Sequence, residues 1–340
     1  MKLTQRTRRL FSIVMPLAVL FVLGVAYLFQ WMTAPVDTQS AMTFEVKRGE
    51  SVVQIATKLH DAGWLRHPRS WSLWARWSGV SGKLRAGEYQ LTTDLSPQAI
   101  LQLFSSGKVI LRHFTIIEGS TFQNVLSLLA QREDIQHTLV NVPDAELIQL
   151  LNIPSRYLEG HFFPDTYHFA KNTKDVEILR MASQRMQREL ERVWRSCEDQ
   201  CPVQSSDELL ILASIVEKET GKSSERPLIA GVFLERLSRG IRLQSDPTVI
   251  YGIGEQYDGN IRKKDLLRDS PYNTYTRKGL PPTPIALPGA ASLTAVAHPQ
   301  RTGAIYFVAS GNADGSHVFS KTLQEHNAAV RRYLKNTRAR

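Results

Sequence analysis

The segment "DELLILASIVEKET" carries the residue best suited to acid–base chemistry, Glu219. At about 100° per residue, Leu209, Leu212, Ala213 and Val216 cover one helical face, flanked by Ile211 and Ile215. Glu219 falls in this apolar sector, one turn after Ile215 and Val216. Glu217 lies toward the polar side and Lys218 opposite. A carboxyl held against an apolar stripe loses hydration, so its pKa should rise. A general acid working near neutrality needs that shift. The alternative places Glu219 at the rim of the helix end, paired with Arg226 or Arg236. Gly221 closes the helix shortly after.

Two downstream segments add polar groups. In "LQSDPTVIYG", Gln244, Asp246, Thr248 and Tyr251 follow a second helix, which Ser224 opens and Gly240 ends. Asp246-Pro247 is a turn signal. In "PYNTYT", Tyr272, Asn273, Thr274 and Tyr275 set aromatic rings beside amide and hydroxyl groups. That mixture suits a sugar, with its apolar ring face and fringe of hydroxyls. His317, Ser320 and His326 raise a metal or Ser/His question. However, the chain has no G-x-S-x-G elbow, H-E-x-x-H, Walker loop or dinucleotide fingerprint. No metal site and no cofactor is expected.

The elements that must position these residues can be read upstream. The chain has 340 residues, and Leu10 to Met32 is free of charge. About 20 apolar residues cross a bilayer core. Lys2, Arg6, Arg8 and Arg9 precede the run, which keeps the N-terminus cytoplasmic and the rest outside. A cleaved signal peptide is the alternative, although its apolar core is normally shorter. Net charge is +10, which favours anionic lipid or wall carboxylates. Nucleic acid would suit the charge, but the expected compartment excludes it. Cys197 and Cys201 could form a short disulfide in an oxidising compartment.

After a polar linker, "TFEVKRGESVVQIATKLHDAGWL" reads as a strand, a turn at Gly49 and a helix capped by Ser51. The pattern recurs without a gap in "HFTIIEGSTFQNVLSLLAQRE". Phe44 matches Phe114, Val46 matches Ile116, and Gly49 matches Gly119. Ser51 matches Thr121, Ile55 matches Val125, and Leu59 matches Leu129. Between the copies, the residues predict a strand over Gly87–Leu91 and a helix with Ser96 as cap, Pro97 at its first position and Gly107 as stop. The first unit resembles the opening of a LysM module, a small fold that binds N-acetylglucosamine polymers.

The segments "EGHFFPDTY", "ASIVEKET", "SERPLIAGVFLERL", "LQSDPTVIYG", "YNTYTRKGLPPTPIALPG", "AHP", "YFVASG" and "HVFS" resemble, in order, the membrane-anchored endolytic murein transglycosylases (murein transglycosylase G, the YceG-like family). The resemblance implies an α+β protein. A cytoplasmic tail (1–9), a transmembrane helix (10–32) and a linker (33–42) come first. A LysM-like domain (43–112), a second strand–turn–helix unit with a connecting segment (113–170) and a loop-rich catalytic domain (171–340) follow. It implies a lytic cut between N-acetylmuramic acid and N-acetylglucosamine that leaves a 1,6-anhydro end and terminates strand elongation. The setting would be the periplasmic face of the inner membrane, with glycan strands as substrate and peptidoglycan synthases as candidate partners. The second glutamate of "EKE", Glu219, carries the catalytic role over. Glu159, Asp165, Glu225, Arg236, Gln244, Asp246, Thr248, Tyr272, Asn273 and Tyr275 carry over as substrate-binding positions. Glu235 stands where the family commonly has Asn. A hydrolytic muramidase using Asp246 or Glu225 as second carboxylate, and a non-catalytic glycan-binding scaffold, are the competing readings.

Overall fold

The computed structural model describes residues 5–38, 40–197 and 200–338, with backbone only at 5–13 and 337–338. Residues 1–4 of the expected cytoplasmic tail and the side chains of Arg6, Arg8 and Arg9 lie outside the described residues. Two compact units are formed, Met1–Arg112 with Phe169–Lys171, and His113–His168 with Asn172–Arg340.

The first unit begins with α1 (Gln5–Thr33), which is long and apolar enough from Val14 to Thr33 to cross a membrane. Its last turn joins the core of the unit, where Met32 is buried beside Phe44, Leu59 and Leu91. Trp31 packs edge-on against His67, and the Val36 amide donates to Leu95 O at 2.8 Å. The exit from α1 is therefore tied to the unit. Next come β1 (Met42–Val46), α2 (Val52–Asp61), α3 (Pro68–Trp77), β2 (Gly87–Leu91) and α4 (Pro97–Ser106). β1 and β2 pair antiparallel, with Phe44 opposite Tyr89. Ser51 and Gln54 make a reciprocal cap on α2, and Ser96 caps α4, which stops at left-handed Gly107. These are the ends expected from the residues, because each cap satisfies donors that no helix can satisfy internally. Glu88, buried, is held by Arg112 at 2.6 Å and Lys171 at 3.0 Å.

In the second unit the repeat recurs as β3 (Leu111–Thr115), which starts in the first unit, and α5 (Phe122–Ala130). Gly119 takes a left-handed turn like Gly49, and Thr121 with Asn124 repeats the reciprocal cap. The matched apolar positions Phe114, Ile116, Val125 and Leu129 are all buried, as are their counterparts. β4 (Ile135–Gln136), α6 (Asp144–Leu150), β5 (Thr166–Ala170) and β6 (Thr173–Lys174) follow; β3 pairs with β5, and β4 with β6. The remainder is mostly helical: α7 (Asp175–Cys197), α8 (Ser206–Glu219), α9 (Arg226–Ser238), α10 (Asp246–Ile253), α11 (Lys263–Leu267), α12 (Ala290–Ala297), the antiparallel hairpin β7 (Tyr306–Ala309) and β8 (His317–Ser320), then α13 (Leu323–Arg338).

Two expectations are corrected here. Asp246-Pro247 does not make a free turn but opens α10, since proline is well suited to a helix's first turn. The second helix starts at Arg226, after a 3-10 turn over Ser223–Glu225, so Ser224 is not its cap. Cys197 and Cys201 are disulfide-bonded, with Cα atoms 4.8 Å apart.

α8 is the centre of this unit. Every residue from Leu209 to Glu217 is buried, and α7, α9 and α12 pack around it. α9 in turn lies so close to the chain at Gln300 that a Cβ on Gly231 would sit 2.3 Å from Gln300 O. Gly231→Ala should therefore push that backbone away, costing about 1–3 kcal/mol, read as a lowered melting temperature. An unchanged melt would show that the packing yields.

Candidate active site

Glu219 is the last residue of α8 and is partly buried. Ser245 Oγ donates to its Oε1 at 2.5 Å. Its pKa is pushed up to about 7, chiefly by loss of hydration. The negative charge of Asp246 adds to the rise, while the Ser245 hydrogen bond and the Arg236 charge pull it down. A helix C-terminus carries partial negative charge and acts in the same direction as burial.

Glu217 is the main correction. It does not face the polar side; its side chain is 4% exposed and ion-paired with Arg226 at 2.8 Å. Its other oxygen accepts the Gly289 amide at 2.9 Å. Periodicity failed because α8 is buried all round and has no polar face to read. Between the two glutamates, exposed Lys218 donates to Gly119 O at 2.9 Å. One turn earlier, buried Ser214 accepts the Ile285 amide at 3.0 Å. The chain around 285–289 and the Gly119 turn are thus clasped to α8, leaving Glu219 as the carboxyl in this helical turn without a cation hydrogen-bonded to it. Of the alternative partners for Glu219, Arg226 is taken by Glu217, and Arg236 acts on it through its charge.

The segment opposite Glu219 is built by backbone and hydroxyl groups. Arg236, buried in α9, donates to Ile305 O and Leu243 O, both at 2.6 Å, with its guanidinium 5.4 Å from the Tyr306 ring centre. It fixes the chain just before Gln244. Gln244 is exposed and left-handed, with φ of 53°. A non-glycine residue pays for that conformation, and the surrounding structure must enforce it. Its amide donates to Thr274 O at 3.1 Å. The Ser245 amide donates to Thr274 Oγ1 at 3.0 Å, and Thr248 Oγ1 lies 2.8 Å from the same oxygen. Thr248 is fully buried, and its hydroxyl is engaged by the Ser245 carbonyl and Thr274. Tyr275 donates to Asp246 Oδ1 at 2.5 Å; both sit in the electrostatic neighbourhood of Glu219, which also raises the Tyr275 pKa after burial and Asp246.

Asn273, expected to meet substrate, is 1% exposed. Its Nδ2 donates to Arg268 O at 2.7 Å and Leu266 O at 3.1 Å, and its Oδ1 accepts the Tyr275 amide at 2.8 Å. Its hydrogen-bonding capacity is consumed in shaping the loop. Tyr272 stacks edge-on with Tyr251 and shares a hydroxyl contact with Thr283 at 2.9 Å. Glu159 is bonded to Tyr251 Oη at 3.1 Å and to the Phe122 amide, where α5 begins, at 3.0 Å. Burial lifts its pKa to about 7 as well, against those hydrogen bonds. Glu225 accepts from His317 N and pairs with His317 Nδ1 at 2.7 Å, while exposed Asp165 bonds the neighbouring Thr166 amide at 2.7 Å. The structure shows no direct bond from Glu159, Asp165 or Glu225 to Glu219. Glu235 forms an ion pair with Arg239 one turn on.

Ser245 was missed in the sequence. It stands where a helix cap belongs, and a serine there normally bonds the helix's own amides. Here it makes no such bond, and its hydroxyl goes to Glu219 instead. Among the described residues no cluster of His, Cys, Asp and Glu could hold a metal ion.

The YceG-like family profile matches residues 44–332, and the chain belongs to that family. A relative from Bacillus subtilis (strain 168), named endolytic murein transglycosylase, is 32% identical over 333 residues, covering 92% of this chain and 91% of its own. One of the same name from Streptococcus pneumoniae serotype 2 (strain D39) is 28% identical; the alignment spans 88% of this chain and 60% of that longer protein. The crystal structure of a YceG-like protein from Listeria monocytogenes superposes with a TM-score of 0.53 at 28% identity, covering 86% of this chain and 99% of that one.

Two substitutions separate the roles of the glutamates and their neighbours. Glu217→Gln takes from buried Arg226 its nearer charge partner and leaves it only Glu118, at 3.6 Å; it should cost about 3 kcal/mol, seen as a lower melting temperature. Ser245→Ala removes a hydrogen bond that favours the Glu219 carboxylate. The Glu219 pKa should then move above about 7, shifting the alkaline limb of the activity profile upward without a large change in melting. A limb that stays in place would leave Ser245 a purely structural role.

Proposed function

We propose that this protein is an endolytic lytic transglycosylase of peptidoglycan. It cleaves the β-1,4 bond between N-acetylmuramic acid and N-acetylglucosamine within nascent strands and leaves 1,6-anhydro ends. The observation that carries the reading is Glu219: a carboxyl with a pKa of about 7, held by one serine hydroxyl. Protonated Glu219 gives its proton to the glycosidic oxygen as the C1–O bond breaks. The carboxylate left behind takes the proton of the muramic acid 6-hydroxyl as that oxygen closes on C1. One group serves both steps, so no water needs to be activated. A hydrolase of the usual kind needs a second carboxylate at a set distance. Asp246 is the nearest candidate for that role, but Tyr275 already occupies its Oδ1. Exposed Gln244 and the Tyr275 ring are suited to meet the sugar.

An α1 long and apolar enough for a single span supports a setting at the membrane. In this reading α1 anchors the chain in the inner membrane with its N-terminus cytoplasmic and both units in the periplasm. The LysM-like region 43–112 engages the glycan, and peptidoglycan synthases work nearby. A reporter active only in the cytoplasm, fused after Arg340, should stay silent; activity there would overturn the topology.

The acid form of Glu219 drives the first step, so turnover should fall as pH rises through about 7. The folded state holds this proton more tightly than the unfolded chain does. The resulting penalty is absent at low pH and grows from the ordinary carboxylate range up to about 7. Glu219→Gln should lose about 10²–10⁴-fold in rate and should melt higher than the parent at alkaline pH, with no such gain in acid. Mass spectrometry of products from uncrosslinked strands decides the chemistry. Anhydro ends support the lytic reading, while products heavier by one water establish a muramidase.

A further inference from the structure

α3 presents two apolar faces, and the core can use only one. Trp71 and Ala75 are fully buried, and Trp71 Nε1 donates to Pro97 O at 2.8 Å, which fixes the rotation of the helix. A second stripe, Leu73 and Trp77, runs along the opposite side at helical spacing, with half-buried Trp74 linking it to the core. Trp77 is 80% exposed and Leu73 65%, and the Trp74 and Trp77 rings lie 5.4 Å apart. A large aromatic left in water at this level is costly and marks a contact surface.

This stripe does not end at α3. Leu73, Trp74 and Trp77 share the wall of a cavity of about 750 Å³ with Phe21, Val25 and Leu28 of α1. The exposed face is therefore continuous with the helix that is apolar enough to span a membrane. Flanking the stripe, Arg69 and Arg76 sit on one edge of α3. Both are exposed, and neither makes an ion pair among the described residues. With Thr57 they border a second cavity of about 500 Å³ between α2 and α3. Tryptophans between an apolar side and a basic edge have the composition of an interfacial membrane helix.

We infer that α3 is a second membrane contact: Leu73, Trp74 and Trp77 lie among phospholipid acyl chains beside α1, while Arg69 and Arg76 reach the headgroup phosphates. The inference rests on the reading of α1 as the anchor. Acyl chains fill the cavity that water would fill at high cost, and arginine stems can extend along apolar surface to place their charge at the phosphates. Because Met32 and Trp31 tie α1 to the same unit, the two contacts would hold that unit in one orientation at the bilayer and not on a swinging tether.

The test uses the full chain in vesicles of phosphatidylethanolamine and phosphatidylglycerol, with or without bromine on the acyl chains. Bromine quenches tryptophan fluorescence on contact. Parent, Trp31→Phe and Trp77→Phe proteins are compared, with acrylamide as the aqueous quencher. We expect brominated lipid to quench a component that is lost in Trp77→Phe and a separate one that is lost in Trp31→Phe. Arg69→Gln with Arg76→Gln should weaken the Trp77 component, as should replacing phosphatidylglycerol by phosphatidylcholine. If the Trp31 component is quenched by lipid and Trp77 answers to acrylamide, the inference falls and the anchor reading stands. If Trp77 answers to neither quencher and the protein sediments as a dimer, a second copy covers the face and the inference is again overturned. If neither tryptophan responds to lipid, the anchor reading has failed, and this inference with it.

Discussion

The second unit depends on one constraint: from Leu209 to Glu217, α8 is buried on every side. Within that stretch a polar side chain has no solvent to turn to, so each one must be given a partner. Ser214 takes the Ile285 amide, Glu217 takes Arg226 and the Gly289 amide, and Lys218 reaches the Gly119 carbonyl. These bonds bring the 285–289 segment and the repeated turn against the same helix. Glu219 comes at the end of the series, where α8 leaves the core, and it receives a neutral hydroxyl where Glu217 receives a guanidinium. Two carboxyls two positions apart in one motif thus receive different partners.

A second principle is the reuse of one local design. The strand, left-handed glycine and reciprocally capped helix occur twice, with corresponding apolar residues buried in both copies. The first copy builds its unit through the β1–β2 ladder and α4. The second is put to another use. Its Gly119 amide and Ser120 carbonyl both bond Leu287, and its helix begins against the carboxylate of Glu159. The same backbone solution serves as a small core in one place and as a brace for the site in the other.

In the loop facing Glu219, polar side chains hold the backbone in place. Arg236, Thr248, Thr274 and Asn273 spend their hydrogen bonds on backbone groups or on each other. The result is a left-handed Gln244 and a Ser245 whose hydroxyl is directed away from its own helix. Conformational strain of this kind persists only where neighbours enforce it. Arg236 on one side and Thr274 on the other do so here.

The sequence by itself determined the local elements. The caps at Ser51, Ser96 and Thr121, the Gly107 stop, the Gly87–Leu91 strand and the apolar span were legible because each depends on a few adjacent residues satisfying backbone groups or matching a length. The family motifs singled out Glu219, and its place in the apolar sector of α8 pointed the same way. Tertiary structure decided what periodicity could not. Glu217 was misplaced because a helix buried all round has no polar face from which to read it. Ser224 and Asp246-Pro247 were misread because a cap and a turn look alike until the following helix is packed. Ser245 escaped notice since its partner lies far away in the chain, and Asn273 looked free because the carbonyls that saturate it are invisible in a sequence. Which polar group is spent on the fold and which is left for chemistry is settled only when distant segments meet, because a hydrogen-bonding group has few places to give and the fold takes them first.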